Sequence, residues 1–215
     1  MSFLMWMSLT YLLTNKLADD IKIIRNYISV THATLVLLFF LLSISPVYIC
    51  YVSIAYYTFD SITELYYVIA TKRLYGLTMI LHHIITCVIL SYFKNDTLSY
   101  YLNYLYFLTE LSNFPIYLVY HLKSKKINNP SFINFLIVIE ASSFIILRLF
   151  CGGVNFYKIL KTDDLPNYLI FAGVLIYLMS AFWVYGMFLQ IIKNYNLNGT
   201  QRINLNYNYW NNLFI

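Results

Sequence analysis

The chain consists of long apolar runs separated by short polar connections. Six of the runs are long enough for an α-helix, which needs about 20 residues to cross a hydrocarbon core roughly 30 Å thick. An isolated strand could not satisfy its backbone hydrogen bonds in hydrocarbon, so each run is predicted to be a helix. The predicted spans are residues 27–45, 47–70, 74–93, 98–121, 131–151 and 167–191.

This pattern divides the chain into three parts. Residues 1–26 form a short N-terminal segment, whose apolar part is too short to span and is predicted to be interfacial, with a truncated first span as the alternative. Residues 27–192 form one transmembrane domain, and residues 193–215 form an Asn- and Tyr-rich cytoplasmic tail. Within the domain, Cys151-Gly152-Gly153 predicts a turn that ends the fifth span.

Composition supports an integral, multi-pass membrane protein with an all-α helix bundle. Hydrophobic residues make up 60% of the chain and charged residues only 11%, whereas soluble domains are about one quarter charged. The net charge of +5 is spread over short clusters between spans, which argues against a nucleic-acid-binding surface. Most of the 14 Lys and Arg residues fall on one side, and this predicts that both termini are cytoplasmic. Arg25 is counted among the charges that mark solvent before the first span.

Ionisable residues recur near the middle of four predicted spans. At 1.5 Å per residue, they lie roughly 12–17 Å below the cytoplasmic interface and form one layer. A charge at the bilayer centre costs at least a few kcal/mol, so these groups are expected to face inward and to pair or line a polar chamber. They are Asp60, His82, His83, Glu110 and Glu140.

Neighbouring side chains extend the layer. Adjacent histidines point about 100° apart on a helix, so one of the pair is expected in the chamber and the other against an adjoining helix. Asn113 lies one turn after the glutamate of the fourth span, and Tyr57 lies one turn before the aspartate of the second span. Both could donate hydrogen bonds in the chamber.

A structural role is the alternative for each polar residue. Such side chains can join helices through hydrogen bonds that contribute about 0.5–2 kcal/mol each. Arg148 is near the non-cytoplasmic end of its span, where it could either snorkel or face the site. His32 could reach lipid headgroups or cap its span, and Glu64 is close enough to the interface to be solvated.

Several short motifs follow one another in a fixed order. They are Ser29-x-x-His32-Ala33, Tyr57-x-x-Asp60, His82-His83-x-x-Thr86, Glu110-Leu111-Ser112-Asn113-Phe114, Arg148 and Phe182-Trp183. Their order and spacing resemble the TLC-domain family over about residues 25–193. The resemblance implies a multi-pass membrane protein, often of the endoplasmic reticulum, related to the ceramide synthases.

The chain departs from the ceramide synthase pattern in its fourth span. Thr109-Glu110 stands where those enzymes have a His-Asp pair, and Asn113 stands where they have the next Asp. The chain therefore resembles the subgroup that lacks the full ceramide synthase signature. Members of that subgroup are linked to phospholipid composition, acyl transfer or vesicle trafficking.

The working hypothesis is acyl transfer from acyl-CoA to a lipid hydroxyl or amine in a cytoplasm-facing cavity. Either histidine of the pair would act as the base or as an acyl-carrying nucleophile, and a carboxylate would orient it. The asparagine and the tyrosine would donate to the carbonyl oxygen. The expected catalytic residues are His82, His83, Glu110 and Asp60, and the expected substrate-binding residues are Asn113, Tyr57, Glu140, Arg148 and His32.

Two other functions compete with catalysis. The same layer could hold a lipid headgroup without reaction, in a lipid-binding, lipid-sensing or trafficking protein. A two-histidine, two-carboxylate metal site is disfavoured, because adjacent histidines do not present to one ion as an i, i+4 pair does. No resident cofactor or metal is expected. The expected partners are membrane lipids and acyl-CoA as a co-substrate, but no nucleic acid, and no oligomeric state is specified.

Overall fold

The structure, a computed structural model of the chain, describes residues 3–17, 21–71, 76–94, 96–125, 129–161 and 165–197. These ranges form helices and contain no strand. The helices are α1 (Phe3–Leu17), α2 (Ile21–Leu41), α3 (Pro46–Thr71), α4 (Gly76–Leu90), α5 (Thr97–Ser124), α6 (Pro130–Ser143), a π-helical segment (Phe144–Cys151), α7 (Gly152–Leu160) and α8 (Asn167–Leu197). Residues 198–215 of the predicted tail lie outside the described residues.

The predicted all-α membrane bundle is confirmed. Among the described residues, three helical stretches are long and apolar enough to cross a membrane: Ile23–Leu41, Ser131–Leu160 and Asn167–Ile192. The apolar helix α4 is shorter, at 15 residues. At 26 and 28 residues, α3 and α5 have sufficient length to span, and they carry half of the buried polar side chains that the structure describes.

The fifth predicted span continues beyond its predicted end. The helix passes from α6 through the π-helical segment into α7, and Gly152 has helical φ and ψ angles of −61° and −45°. The prediction of a turn at Cys151-Gly152-Gly153 is therefore wrong. A Cβ atom on Gly153 would lie 3.2 Å from the Tyr177 hydroxyl of α8. The absence of a side chain here allows α8 to approach closely, which explains a glycine within a helix.

The N-terminal helix α1 packs against α2 and α3. Its Trp6 is fully buried, with ring-centroid distances of 5.9 Å to His32 and 5.4 Å to Tyr56. These partners lie near the middle of their helices, so Trp6 reaches into the bundle interior. The interfacial position of residues 1–26 stays a prediction.

A side-chain cap begins α5. The carboxylate of Asp96 accepts a hydrogen bond from the Ser99 backbone N–H at 2.7 Å, and the Ser99 hydroxyl accepts one from Lys94 N–H at 2.7 Å. The bond from the Ser99 backbone lowers the pKa of Asp96 below its usual value. The cap thus fixes the start of the helix that carries Glu110.

Asp96→Ala is expected to lower the free energy of unfolding by about 0.5–2 kcal/mol. Since the pKa of Asp96 is lowered in the folded state, its ionic contribution is present above the unfolded pKa and is lost as pH falls through the folded pKa. Thermal unfolding in micelles should therefore show a deficit that shrinks at acidic pH. Asp96→Asn is the control, because it keeps a capping oxygen that does not titrate. A deficit of Asp96→Ala that is independent of pH would contradict this account.

Helices α7 and α8 approach each other closely at Gly173. A Cβ atom there would lie 2.3 Å from Cε2 of the Phe156 ring. Gly173→Ala is therefore expected to cost about 1–3 kcal/mol of unfolding free energy through overpacking, measured by denaturant unfolding in mixed micelles. Adding Phe156→Leu should recover part of the loss, whereas strictly additive losses would show that the ring is not the obstacle.

Candidate functional site

Buried and partly buried polar side chains from five helical segments form two connected clusters. The Asp60 cluster comprises Arg25, Asp60, Ser61, Glu64 and His83. The Glu110 cluster comprises Tyr57, Tyr106, Glu110, Ser112, Asn113 and Arg148. The clusters meet where the Tyr57 ring lies 4.9 Å from the His83 ring. The structure thus brings together most of the predicted site.

Arg25 is the centre of the Asp60 cluster. Its Nη2 donates to both oxygens of Asp60, at 3.0 and 3.2 Å, its Nε donates to Oδ1 at 3.1 Å, and its Nη1 donates to Glu64. The two carboxylates are 6% and 5% exposed. One guanidinium therefore compensates two buried acids that share a face of α3.

This arrangement corrects two predictions. Arg25 does not mark solvent, because its long side chain extends from α2 to the acids of α3. Glu64 is not solvated at the interface, because it lies one turn after Asp60 on the same buried face. Two acids spaced i, i+4 in an apolar helix need a cation from a neighbouring helix. This spacing is the sequence signal from which a partner such as Arg25 could be predicted.

His83 faces the Asp60 cluster. Its Nδ1 lies 3.7 Å from Asp60 Oδ2 and 3.3 Å from Ser61 Oγ. An acidic acceptor on this side favours the tautomer with hydrogen on Nδ1, so Nε2 carries the lone pair. His83 therefore has the orientation of a base supported by a carboxylate.

His82 points to a different neighbour. Its ring lies 5.0 Å from the Trp183 ring of α8 and 5.6 Å from the His83 ring. Its Nδ1 is buried and, among the described residues, has no hydrogen-bond partner. The adjacent histidines thus contact two different walls of the bundle.

Glu110 accepts hydrogen bonds at both carboxylate oxygens. Tyr57 Oη donates to Oε1 at 2.7 Å, and Asn113 Nδ2 donates to Oε2 at 3.3 Å. Tyr106 Oη in turn donates to Tyr57 Oη at 3.0 Å. Tyr106 is not among the site residues predicted from the sequence, although it lies one turn before Glu110 on the same face of α5.

Arg148 faces the bundle interior from the π-helical segment. It is 5% exposed, and its Nε donates to Ser112 Oγ at 2.6 Å. Its Nη2 donates to Asn113 Oδ1 at 2.6 Å and to the Thr109 carbonyl at 2.9 Å. The alternative of a snorkelling side chain is therefore wrong. π-Helical turns are frequent at functional sites, and here one orients the only cation of the Glu110 cluster.

His32 is a core residue. It is fully buried, stacks on Tyr56 at a ring distance of 3.9 Å, and places Nε2 3.1 Å from Ser53 Oγ and 3.4 Å from Tyr106 Oη. The capping alternative is wrong, because His32 lies in the middle of α2, and substrate binding by His32 stays a prediction. His32 instead contacts the far end of the Glu110 cluster.

Glu140 lies apart from both clusters. It is buried in α6, and the charged residue that acts on its carboxylate is Lys123 of α5. Its expected convergence with the other acids is not observed. Within the described ranges, no group of three His, Cys, Asp or Glu side chains is arranged to hold a metal ion.

Comparison with known proteins agrees with the residue order and the helical architecture. The family model described as TLC domain matches residues 45–189, more than half of the chain, including the histidine pair, Glu110 and Arg148. No curated protein and no solved structure matches the chain. The predicted resemblance is confirmed, and the chain belongs to the TLC-domain family of membrane proteins.

Proposed function

We propose that the protein is a lipid-modifying membrane enzyme that transfers an acyl group from acyl-CoA to a lipid hydroxyl or amine. Its family acts in a lipid context, which supports a lipid substrate. The observation that carries the proposal is the buried contact of His83 with Asp60, 3.7 Å between Nδ1 and Oδ2. A carboxylate behind an imidazole is the arrangement that supports general-base catalysis in acyl transfer.

In the proposed reaction, His83 Nε2 accepts the proton of the acceptor hydroxyl or amine as its oxygen or nitrogen attacks the thioester carbonyl. The new C–O or C–N bond forms and the C–S bond breaks. The proton then passes from His83 to the leaving thiolate, which gives free CoA. Asp60 stabilises the intervening imidazolium, and Arg25 fixes the carboxylate in place.

Tyr57 and Asn113 act through Glu110 in this proposal. The sequence predicts that both donate directly to the acyl carbonyl, but the Tyr57 hydroxyl and one amide N–H of Asn113 are engaged by Glu110. Both are therefore positioning residues. We further propose that the enzyme resides in the endoplasmic reticulum with both termini cytoplasmic, where acyl-CoA is available.

The second candidate is a non-catalytic lipid-binding, lipid-sensing or trafficking protein. The specific observation in its favour is that both central acids already have internal partners: Asp60 bonds to Arg25, and Glu110 bonds to Tyr57. A closed network of this kind also serves to join helices.

The deciding experiment measures transfer of a labelled acyl group from acyl-CoA to lipid. Purified full-length protein in nanodiscs of a microsomal lipid extract would be incubated with ¹³C-labelled palmitoyl-CoA, and lipids and free CoA would be quantified by mass spectrometry. Acyl transfer predicts a labelled lipid and an equal amount of free CoA. Lipids that copurify and exchange without becoming labelled would favour the second candidate.

A further inference from the structure

Arg148 is a buried cation without a direct carboxylate partner. Its hydrogen bonds go to three neutral acceptors, on Ser112, Asn113 and Thr109. In the part of the chain that the structure describes, no acid lies at ion-pair distance from it, whereas Arg25 contacts two. Removing a guanidinium from water costs several kcal/mol unless an anion or full hydrogen bonding accompanies it.

Asn113 separates this cation from the nearest acid. Its Oδ1 accepts from Arg148 and its Nδ2 donates to Glu110, so a neutral amide lies between the two charges. Glu110 uses its two oxygens on Tyr57 and Asn113. Arg148 can therefore still bind a ligand that carries a negative charge.

Two unsatisfied polar atoms lie around one aromatic residue. Arg148 Nη1 and His82 Nδ1 are both buried and lack hydrogen-bond partners among the described residues. The Trp183 ring lies 5.7 Å from Arg148 Cζ and 5.0 Å from the His82 ring. Buried groups without a partner are rare in native proteins, so two of them beside one ring indicate a place for a ligand.

We propose that Arg148 Nη1 and His82 Nδ1 bind the carbonyl or carboxylate oxygen of a fatty-acyl group. Both nitrogens can donate, and an oxygen that carries negative charge is the matching acceptor. Phe144 and Trp183 supply an apolar surrounding that strengthens such bonds. This inference rests on the proposed function and deepens it, since it assigns the acyl end of the substrate to the His82 side, next to the proposed base.

Binding requires one side chain to move. The Phe144 ring covers the guanidinium at 4.2 Å, and Trp183 lies beside it, whereas His82 is partly exposed. An acyl group therefore approaches past His82 and displaces the Trp183 ring. A free fatty acid and an acyl-CoA share the acyl oxygen, so both are sources of the ligand.

The test is ¹³C NMR of full-length protein in phosphatidylcholine nanodiscs, with carboxyl-labelled palmitate in one arm and carbonyl-labelled palmitoyl-CoA in the other. We expect a carbonyl resonance distinct from that of the probe in empty nanodiscs. Bilayer burial disfavours the charged carboxylate and a guanidinium favours it, so the bound palmitate signal should stay at its ionised position to lower pH than the bilayer signal. A distinct resonance in either arm supports the site and identifies the acyl source.

Arg148→Gln should abolish the distinct resonance, and Lys94→Gln, which changes an exposed cation lying over the Tyr92 ring, should retain it. His82→Gln should shift the resonance without removing it, and this keeps the test valid if Arg148→Gln does not fold. Absence of a distinct resonance in the wild type, or its survival in folded Arg148→Gln, overturns the inference. Labelled lipid formed without the resonance would overturn only this inference, whereas the resonance without labelled lipid would support it and overturn acyl transfer.

Discussion

His83→Ala is expected to slow acyl transfer by about 100- to 10,000-fold, the usual contribution of a general base. The variant removes the imidazole that would take the acceptor proton, while Asp60 keeps its hydrogen bonds to Arg25. The measurement is the initial rate of labelled-lipid formation from palmitoyl-CoA in nanodiscs. The loss should appear in the rate of the chemical step, since the imidazole acts in the transition state.

His121→Ala is the matched control. His121 lies in the last turn of α5, with its ring 5.4 Å from the Tyr27 ring, and it belongs to neither cluster. Its loss should leave the rate close to that of the wild type. If His83→Ala retains the wild-type rate while folded, general-base catalysis by this residue is wrong.

Arg25→Ala is expected to lower the free energy of unfolding by about 3–5 kcal/mol, because it leaves two buried acids without their cation. Asp60 and Glu64 both lie on α3, so the loss also removes one of the polar connections between α2 and α3. Chemical unfolding in mixed micelles, followed by circular dichroism, would measure the change.

Removing the acids together with the cation provides the control. The triple variant Arg25→Met, Asp60→Leu and Glu64→Leu replaces the ion cluster with apolar side chains of similar volume, and should unfold near the wild-type free energy. If the triple variant were as unstable as Arg25→Ala, shape and not charge would explain the loss.

The helical architecture could be predicted from the lengths of the apolar runs, but its π-helical part could not. Run length and hydropathy specify a span because the bilayer thickness is fixed. A glycine pair, by contrast, is compatible with either a turn or a close helix contact. At Gly153 the outcome depends on Tyr177 of α8, which is distant in sequence. No local sequence pattern predicts the π-helical segment that precedes Gly153.

The depth of the polar layer was predictable for short side chains and not for long ones. Asp60 and His83 meet because the fixed rise of a helix brings their backbones to similar depths. Arg25 begins nearer the helix end, but its side chain reaches the same acid, and a count of backbone positions does not include that reach. Glu140 has a depth similar to that of the other acids but does not meet them, because equal depth alone does not bring a residue to the same side of the bundle.

The π-helical segment also sets how α7 is rotated about the helix axis relative to α6. A π-helical turn holds about one residue more than an α-helical turn, whereas each residue of an α-helix corresponds to about 100° around the axis. Losing a single residue between Ser143 and Gly152 would therefore shorten a π-helical turn to an α-helical one and keep Phe156 directed at Gly173, whereas an inserted residue would turn Phe156 away. Apart from Phe144 and Arg148, this stretch should therefore tolerate the deletion of one residue better than the insertion of one residue.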